Sequence, residues 1–132
     1  MKHPTTFREL ENGLFSSTSD SDQQSPLDKW YDGVRDKKLD DLTDGDLSIA
    51  CRQKLFLAAV VPVALARLRL NPSAGDMYDG ELAKALCDIP LAFWREHPEM
   101  TLAMRSLIPA IFSCVDEDIQ SELMRLDAAV KD

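Results

Sequence analysis

Thr43-Asp-Gly-Asp-Leu-Ser-Ile-Ala-Cys-Arg-Gln-Lys54 runs directly into Leu55-Phe-Leu-Ala-Ala-Val-Val-Pro-Val-Ala-Leu-Ala66 and then into Arg67-Leu-Arg-Leu70. From Leu55 to Ala66 there is no polar side chain. A helix apolar on every side has to be surrounded by other elements, because any face left in water exposes hydrocarbon. A membrane span takes about 20 apolar residues, more than this run offers, and Lys54 and Arg67 bracket it. The stretch therefore predicts the buried central helix of a small soluble domain, over residues about 44–70. Thr43 is its N-cap, with Asp46 three residues on as the partner in a capping box. Leu47, Cys51, Leu55 and Ala58 form one buried stripe at helical spacing. Pro62 falls inside the run, where a proline removes a backbone hydrogen bond at about 3 kcal/mol. A kink is expected there, or two helices meeting near Val61. Asn71-Pro72 ends the helix at Leu70.

On the N-terminal side, Ser25 is a good cap and Pro26 a good first helical residue. Leu27, Trp30, Tyr31 and Val34 make one face of that helix, which is expected to end near Lys37 and Lys38. Residues 16–25 have no apolar side chain and cannot offset their ordering entropy by burial, so they read as a flexible linker. Phe7, Leu10 and Leu14 ahead of it suit a short helix or a docked extended arm, limited by Gly13. The expected division is an arm and linker over residues 1–25 and a single helical domain over 26–132.

On the C-terminal side, residues 71–80 are dense in turn formers, and Asp79 is placed to cap a helix carrying Leu82, Leu86 and Ile89. Pro90 starts a short helix with Phe93 and Trp94, and His97-Pro98 closes it. Pro98 opens the next, with Met100, Met104, Leu107, Ile108 and Ile111 on one side and Pro109 expected to end or bend it. Asp116, Glu117 and Asp118 open the last helix, whose apolar face is Ile119, Leu123, Leu126 and Val130. No segment alternates like a strand. The fold class is all-α, an irregular bundle of about six or seven short helices around the central one.

With 132 residues, 45% apolar and 29% charged, the chain suits one ordinary globular core. Its 23 acidic residues against 15 basic ones give a net charge of −8. That disfavours direct binding to nucleic acid or an anionic membrane, and it speeds encounter with a basic partner. Cys51, Cys87 and Cys114 are widely spaced among apolar neighbours, and read as small core residues in a reducing compartment rather than a disulfide frame or metal site. The first residues lack the apolar core of a secretory signal, which places the chain in the cytoplasm by default.

Catalytic signatures are missing: there is no phosphate-binding glycine loop and no nucleophile elbow. Neither His3 nor His97 stands at a telling distance from a Cys or Asp, and His97 reads as a helix-end residue. Asp76, Asp79 and Glu81 are close enough in sequence for metal-assisted hydrolysis, although capping and first-turn roles explain Asp79 and Glu81 more simply. Asp40, Asp41, Asp44 and Asp46 make a dense negative strip. Tyr78 sits in a loop, where an aromatic either covers the core or anchors a partner. Gln53 either satisfies loop backbone at a bend or faces solvent.

Several phrases together have a familiar spacing: Leu39-Asp-Asp-Leu-Thr-Asp-Gly-Asp-Leu47, Gln53, Val61-Pro-Val-Ala-Leu-Ala-Arg-Leu68, Asn71-Pro72, Gly75-Asp-Met-Tyr-Asp-Gly-Glu-Leu82, Phe93-Trp94 and His97-Pro98. With Arg8-Glu-Leu-Glu11, they make residues 8–100 resemble a family of immunity proteins from contact-dependent growth inhibition systems. Where that family has a long aromatic-rich segment before the first helix, this chain has its Ser/Asp/Gln stretch. The resemblance implies a cytoplasmic, non-catalytic helical protein without metal or cofactor. Such a protein binds the C-terminal toxin domain of a cognate exported effector, often a nuclease, one to one, and blocks its active site. An acidic inhibitor suits the basic cleft of a nuclease. The expected contact residues are Asp40, Asp41, Asp44, Asp46, Asp76, Tyr78 and Asp79, with Asp116, Glu117, Asp118 and Glu122 of the last helix next in line. A helical adaptor for another protein, and a hydrolase using Asp76, Asp79 and Glu81, remain the alternatives.

Overall fold

Residues 43–70 fold as two helices with a break between them. The computed structural model describes residues 6–14 and 26–130. Residues 16–25, the Ser25 cap, His3 and the side chains of Leu14 and Leu27 lie outside what it describes. In chain order the helices are α1 (Phe7–Leu14), α2 (Pro26–Val34), a 3-10 turn (Leu39–Asp41), α3 (Asp44–Arg52), α4 (Leu57–Leu70), α5 (Glu81–Cys87), α6 (Leu91–Glu96), α7 (Pro98–Phe112) and α8 (Glu117–Val130). The all-α expectation holds, with eight α-helices among the described residues.

The helix break lies at Gln53-Lys-Leu-Phe56, ahead of the expected Val61 and Pro62. Its geometry is that of a Schellman stop. The Leu55 N–H donates to the Ala50 carbonyl at 2.9 Å, and the Lys54 N–H donates to the Cys51 carbonyl at 3.1 Å. Lys54 takes the left-handed conformation (φ 58°) that glycine usually supplies, and Phe56 does so too (φ 47°). Gln53 is exposed at the turn. Pro62 is accommodated inside α4. The break also re-phases the stripe, so Leu47 and Cys51 are buried but Ala58 is exposed. Nor is α4 covered on every side. Val60, Val61, Val63, Ala64, Leu65 and Leu68 are buried, whereas Ala58 and Ala66 face outward, where their small side chains expose little hydrocarbon.

The chain divides into two compact units, Met1–Leu42 and Thr43–Asp132. In the first, Thr6 bridges Lys38 and the Arg8 N–H donates to the Arg35 carbonyl at 3.1 Å. The Phe7 ring lies 5.4 Å from Tyr31 and 6.3 Å edge-on to Trp30. The Arg8 guanidinium grips the Asp36 carboxylate through Nε and Nη2, and that hydrogen bonding holds Asp36 below its ordinary pKa. Helix α2 stops at Val34, short of the expected lysines.

In the second unit α3 packs on α4 and α5, α7 on α4, α6 and α8, and α5 on α8. The Thr43 capping box is present in full: its hydroxyl accepts the Asp46 N–H at 3.0 Å, and the Asp46 carboxylate accepts the Thr43 N–H at 3.2 Å. Leu82, Leu86 and Ile89 of the α5 region, Trp94, Met104, Leu107 and Ile111 all enter the core, joined by Ile119, Leu123 and Leu126 of α8. Pro109 does not end α7, which continues to Phe112. Asp116 caps α8 by accepting the Ile119 N–H at 3.1 Å.

Candidate functional site

The loop of residues 71–80 is the most heavily cross-linked irregular segment of the second unit. Proline after Asn71 stops α4, and the Asn71 Oδ1 accepts the Ser73 N–H at 3.3 Å and its hydroxyl at 3.1 Å, closing a local turn. At Gly75 a Cβ would lie 2.2 Å from the Tyr78 carbonyl oxygen, so only glycine fits. Gly80 (φ 89°) starts α5 in a left-handed conformation, and a Cβ there would meet Val115 at 2.5 Å. Asp79 is therefore not the side-chain cap expected of it, since Gly80 takes the N-cap position with no side-chain bond.

Three carboxylates lock this loop. Asp44 accepts the Gly75 N–H at 3.1 Å through one oxygen and the Arg67 guanidinium at 2.7 Å through the other. Asp76 reaches back to accept the Gly45 N–H at 2.9 Å. Glu81 is only 4% exposed, and its Oε1 accepts the N–H groups of Asp76 at 2.9 Å and Met77 at 3.1 Å. Its Oε2 lies 3.9 Å from Arg52. Backbone bonds complete the frame: Gly80 N–H to Ser73 carbonyl at 2.9 Å and Leu82 N–H to Ala74 carbonyl at 3.1 Å. What the frame presents outward is Met77 (82% exposed), Tyr78 (46% exposed) and Asp79.

The expected contact residues thus fall in different settings. Asp40 and Asp41 belong to the 3-10 turn of the first unit, Asp40 half-buried and Asp41 exposed. Asp44, Asp46 and Asp76 are in the second unit, each engaged in holding backbone N–H groups. Tyr78 and Asp79 are exposed beside them. Sequence reasoning missed Met77 as a second exposed apolar side chain beside Tyr78, and it missed the Arg67–Asp44 pair and the buried Glu81. Only glycine at position 75, between Ala74 and Asp76, hinted at a close backbone approach.

Two of the three carboxylates that a hydrolase would use, Asp76 and Glu81, are engaged in holding the fold. Among the described residues no group of three or more His, Cys, Asp and Glu side chains is placed to hold a metal ion. Burial pushes the Cys51 thiol up to about 12; burial, reinforced by Glu122 and Asp88, does the same to Cys87. Both are protonated at neutral pH and are poor nucleophiles. Cys114 is exposed and so is not the core residue expected. His97 stacks on Phe93 at 4.2 Å, and its Nδ1–H donates to the Phe93 carbonyl at 2.9 Å, an arrangement that ends a helix. A hollow of about 280 Å³ between α4 and α7 is lined by Pro62, Leu65, Ala66, Arg69, Glu99, Met100 and Ala103, mostly apolar with Arg69 and Glu99 as its charged residues. On α8, Glu117 and Asp118 are exposed and Glu122 pairs with Arg125 at 2.9 Å. Among the described residues no helix is long and apolar enough to cross a membrane.

No curated protein matches this chain. The CDI immunity proteins match it over residues 11–104, a span that takes in α2 to α6, the whole locked loop and all three carboxylates, and that ends within α7. The resemblance carried by residues 8–100 is borne out. A match over well more than half of its length shows that the chain belongs to the family of CDI immunity proteins.

Proposed function

We propose that the chain is the cytoplasmic immunity partner of a contact-dependent growth inhibition toxin. It binds the C-terminal toxin domain of a cognate exported effector one to one and covers its active site. It does so by occlusion, with no catalytic residue, metal or cofactor of its own. The observation that carries this is the family match over residues 11–104. The toxin is a nuclease: its phosphate-binding cleft would be basic, and the net charge of −8 on this chain would draw the two together. The contact residues are Asp40, Asp41, Asp44, Asp46, Asp76, Tyr78 and Asp79. Asp44, Asp46 and Asp76 contribute negative field while their oxygens hold the fold, and Asp41, Tyr78 and Asp79 are exposed for direct contact.

The test starts from the reading frame upstream. Its encoded C-terminal domain is expected to bind this chain tightly and to lose nuclease activity at equimolar protein. Asp41→Lys and Asp79→Lys should slow association while changing stability by no more than about 0.5 kcal/mol each. A toxin domain that ignores this chain, or stays active when saturated with it, would overturn the proposal.

A further inference from the structure

We propose that the loop between α4 and α5 is a preformed docking tip whose Met77 and Tyr78 side chains enter an apolar recess of the toxin domain, and that Glu81 is the residue that positions them. The inference rests on the immunity function proposed above. Two adjacent large apolar side chains stand exposed on a loop whose other exposed residues, Asn71, Asp76 and Asp79, are polar, Met77 at 82% and Tyr78 at 46%. Methionine and tyrosine are among the residues enriched where protein interfaces are fully desolvated.

The backbone beneath them is fixed with unusual effort. The Met77 N–H itself is held by Glu81, so the clamp acts on the same residue that projects outward. A carboxylate with 4% exposure is costly to bury, and Arg52, its nearest cation, is 3.9 Å away. A short turn between two helices needs no such group. A rigid presentation of side chains does, because a loop already ordered loses less entropy on binding. Asp44 and Gly75 add a second fixed point on the same loop.

The flanking charges define the occupant. Asp76 and Asp79 bracket Met77 and Tyr78, so the matching surface is an apolar-walled recess with a basic rim. The cleft of a phosphate-cleaving toxin domain has that chemistry. Asp76 and Asp79 meet the rim, and the two apolar side chains exclude water from its floor.

The experiment measures binding kinetics of the full-length chain and its variants against the toxin C-terminal domain, alongside thermal melts and amide hydrogen exchange. Met77→Ala and Tyr78→Ala should leave the melting temperature unchanged and raise the dissociation rate at least about ten-fold each. Glu81→Ala should speed exchange at the Asp76 and Met77 amides while the helical core keeps its protection, and should weaken binding by a similar factor. Glu81→Gln keeps an oxygen able to accept both N–H groups, so it should restore slow exchange and most of the affinity. If wild-type protein binds but the Met77→Ala/Tyr78→Ala double variant binds equally well, the docking tip is wrong and immunity stands. If Glu81→Ala binds normally despite faster exchange, or Glu81→Gln fails to rescue, Glu81 is not a positioning residue. If wild-type protein fails to bind the toxin domain, both proposals fall together.

Discussion

Cys51 faces the core from α3, and burial raises its thiol pKa from the ordinary 9.0 to about 12. Cys87 is pushed to the same value, while Cys114 stands exposed just past the end of α7. A thiol reagent attacks only the thiolate it can reach. Cys114 should therefore react rapidly with Ellman's reagent in the native protein, half-buried Cys87 slowly, and buried Cys51 only once the chain unfolds. Replacing Cys114 by Ser should abolish the fast phase. Burst labelling of two or more thiols would show that α3 or α5 opens readily. The same shifts fix a pH dependence. The unfolded thiols ionise near 9.0 and the folded ones near 12, so the unfolded state loses protons first as the solution turns alkaline. Their contribution to stability is complete below pH 9 and declines between 9 and 12. A urea series across that range should show the decline, and it should be shallower in Cys51→Ala.

Lys54 occupies a helix stop that calls for glycine. A left-handed non-glycine residue costs about 1–2 kcal/mol, and glycine gives back part of that through its larger unfolded-state entropy. Lys54→Gly should stabilise the protein by about 0.5–1 kcal/mol, read as a higher urea midpoint at unchanged slope. A destabilised variant would show that the lysine side chain contributes more than its backbone costs. The same residue shows why the sequence was only partly legible. Thr43 and Asp46 announce their capping box because both partners lie within one turn, and Asn71-Pro72 announces its stop by proline chemistry. With Lys54 in the glycine position and Pro62 further on, local rules placed the break at the proline instead. Pro62 falls in an outward-facing part of α4, between the exposed Ala58 and Ala66, and the helix tolerates it. The carboxylate clamp was hidden for another reason. Asp44 and Gly75 are 31 residues apart, as are Asp76 and Gly45, so the pairing exists only once α3 and the loop are brought together by packing. Asp44 and Asp76 stand out in the sequence for their charge, and the fold adds a mechanical role that composition could not reveal.

Charge acts over the full chain rather than at any single contact. Twenty-three acidic residues against 15 basic ones leave −8, and several of the closest ion pairs are already internal, among them Arg67–Asp44 and Arg105–Asp127. The excess negative charge is what an approaching toxin domain would meet first. Electrostatic steering speeds association and weakens as salt shortens the Debye length, from about 30 Å at 0.01 M to about 3 Å at 1 M. The packing proposed at Met77 and Tyr78 would be short-ranged and nearly insensitive to salt. The two contributions should therefore separate in one titration. Raising sodium chloride from about 0.02 M to about 0.5 M should cut the association rate constant at least about ten-fold and leave the dissociation rate within about two-fold. Reversing Asp41 and Asp79 to lysine should flatten the association slope, and should slow association by a larger factor than it speeds dissociation. An association rate indifferent to salt would mean that the acidity serves solubility alone, and that the toxin surface facing this chain is not basic.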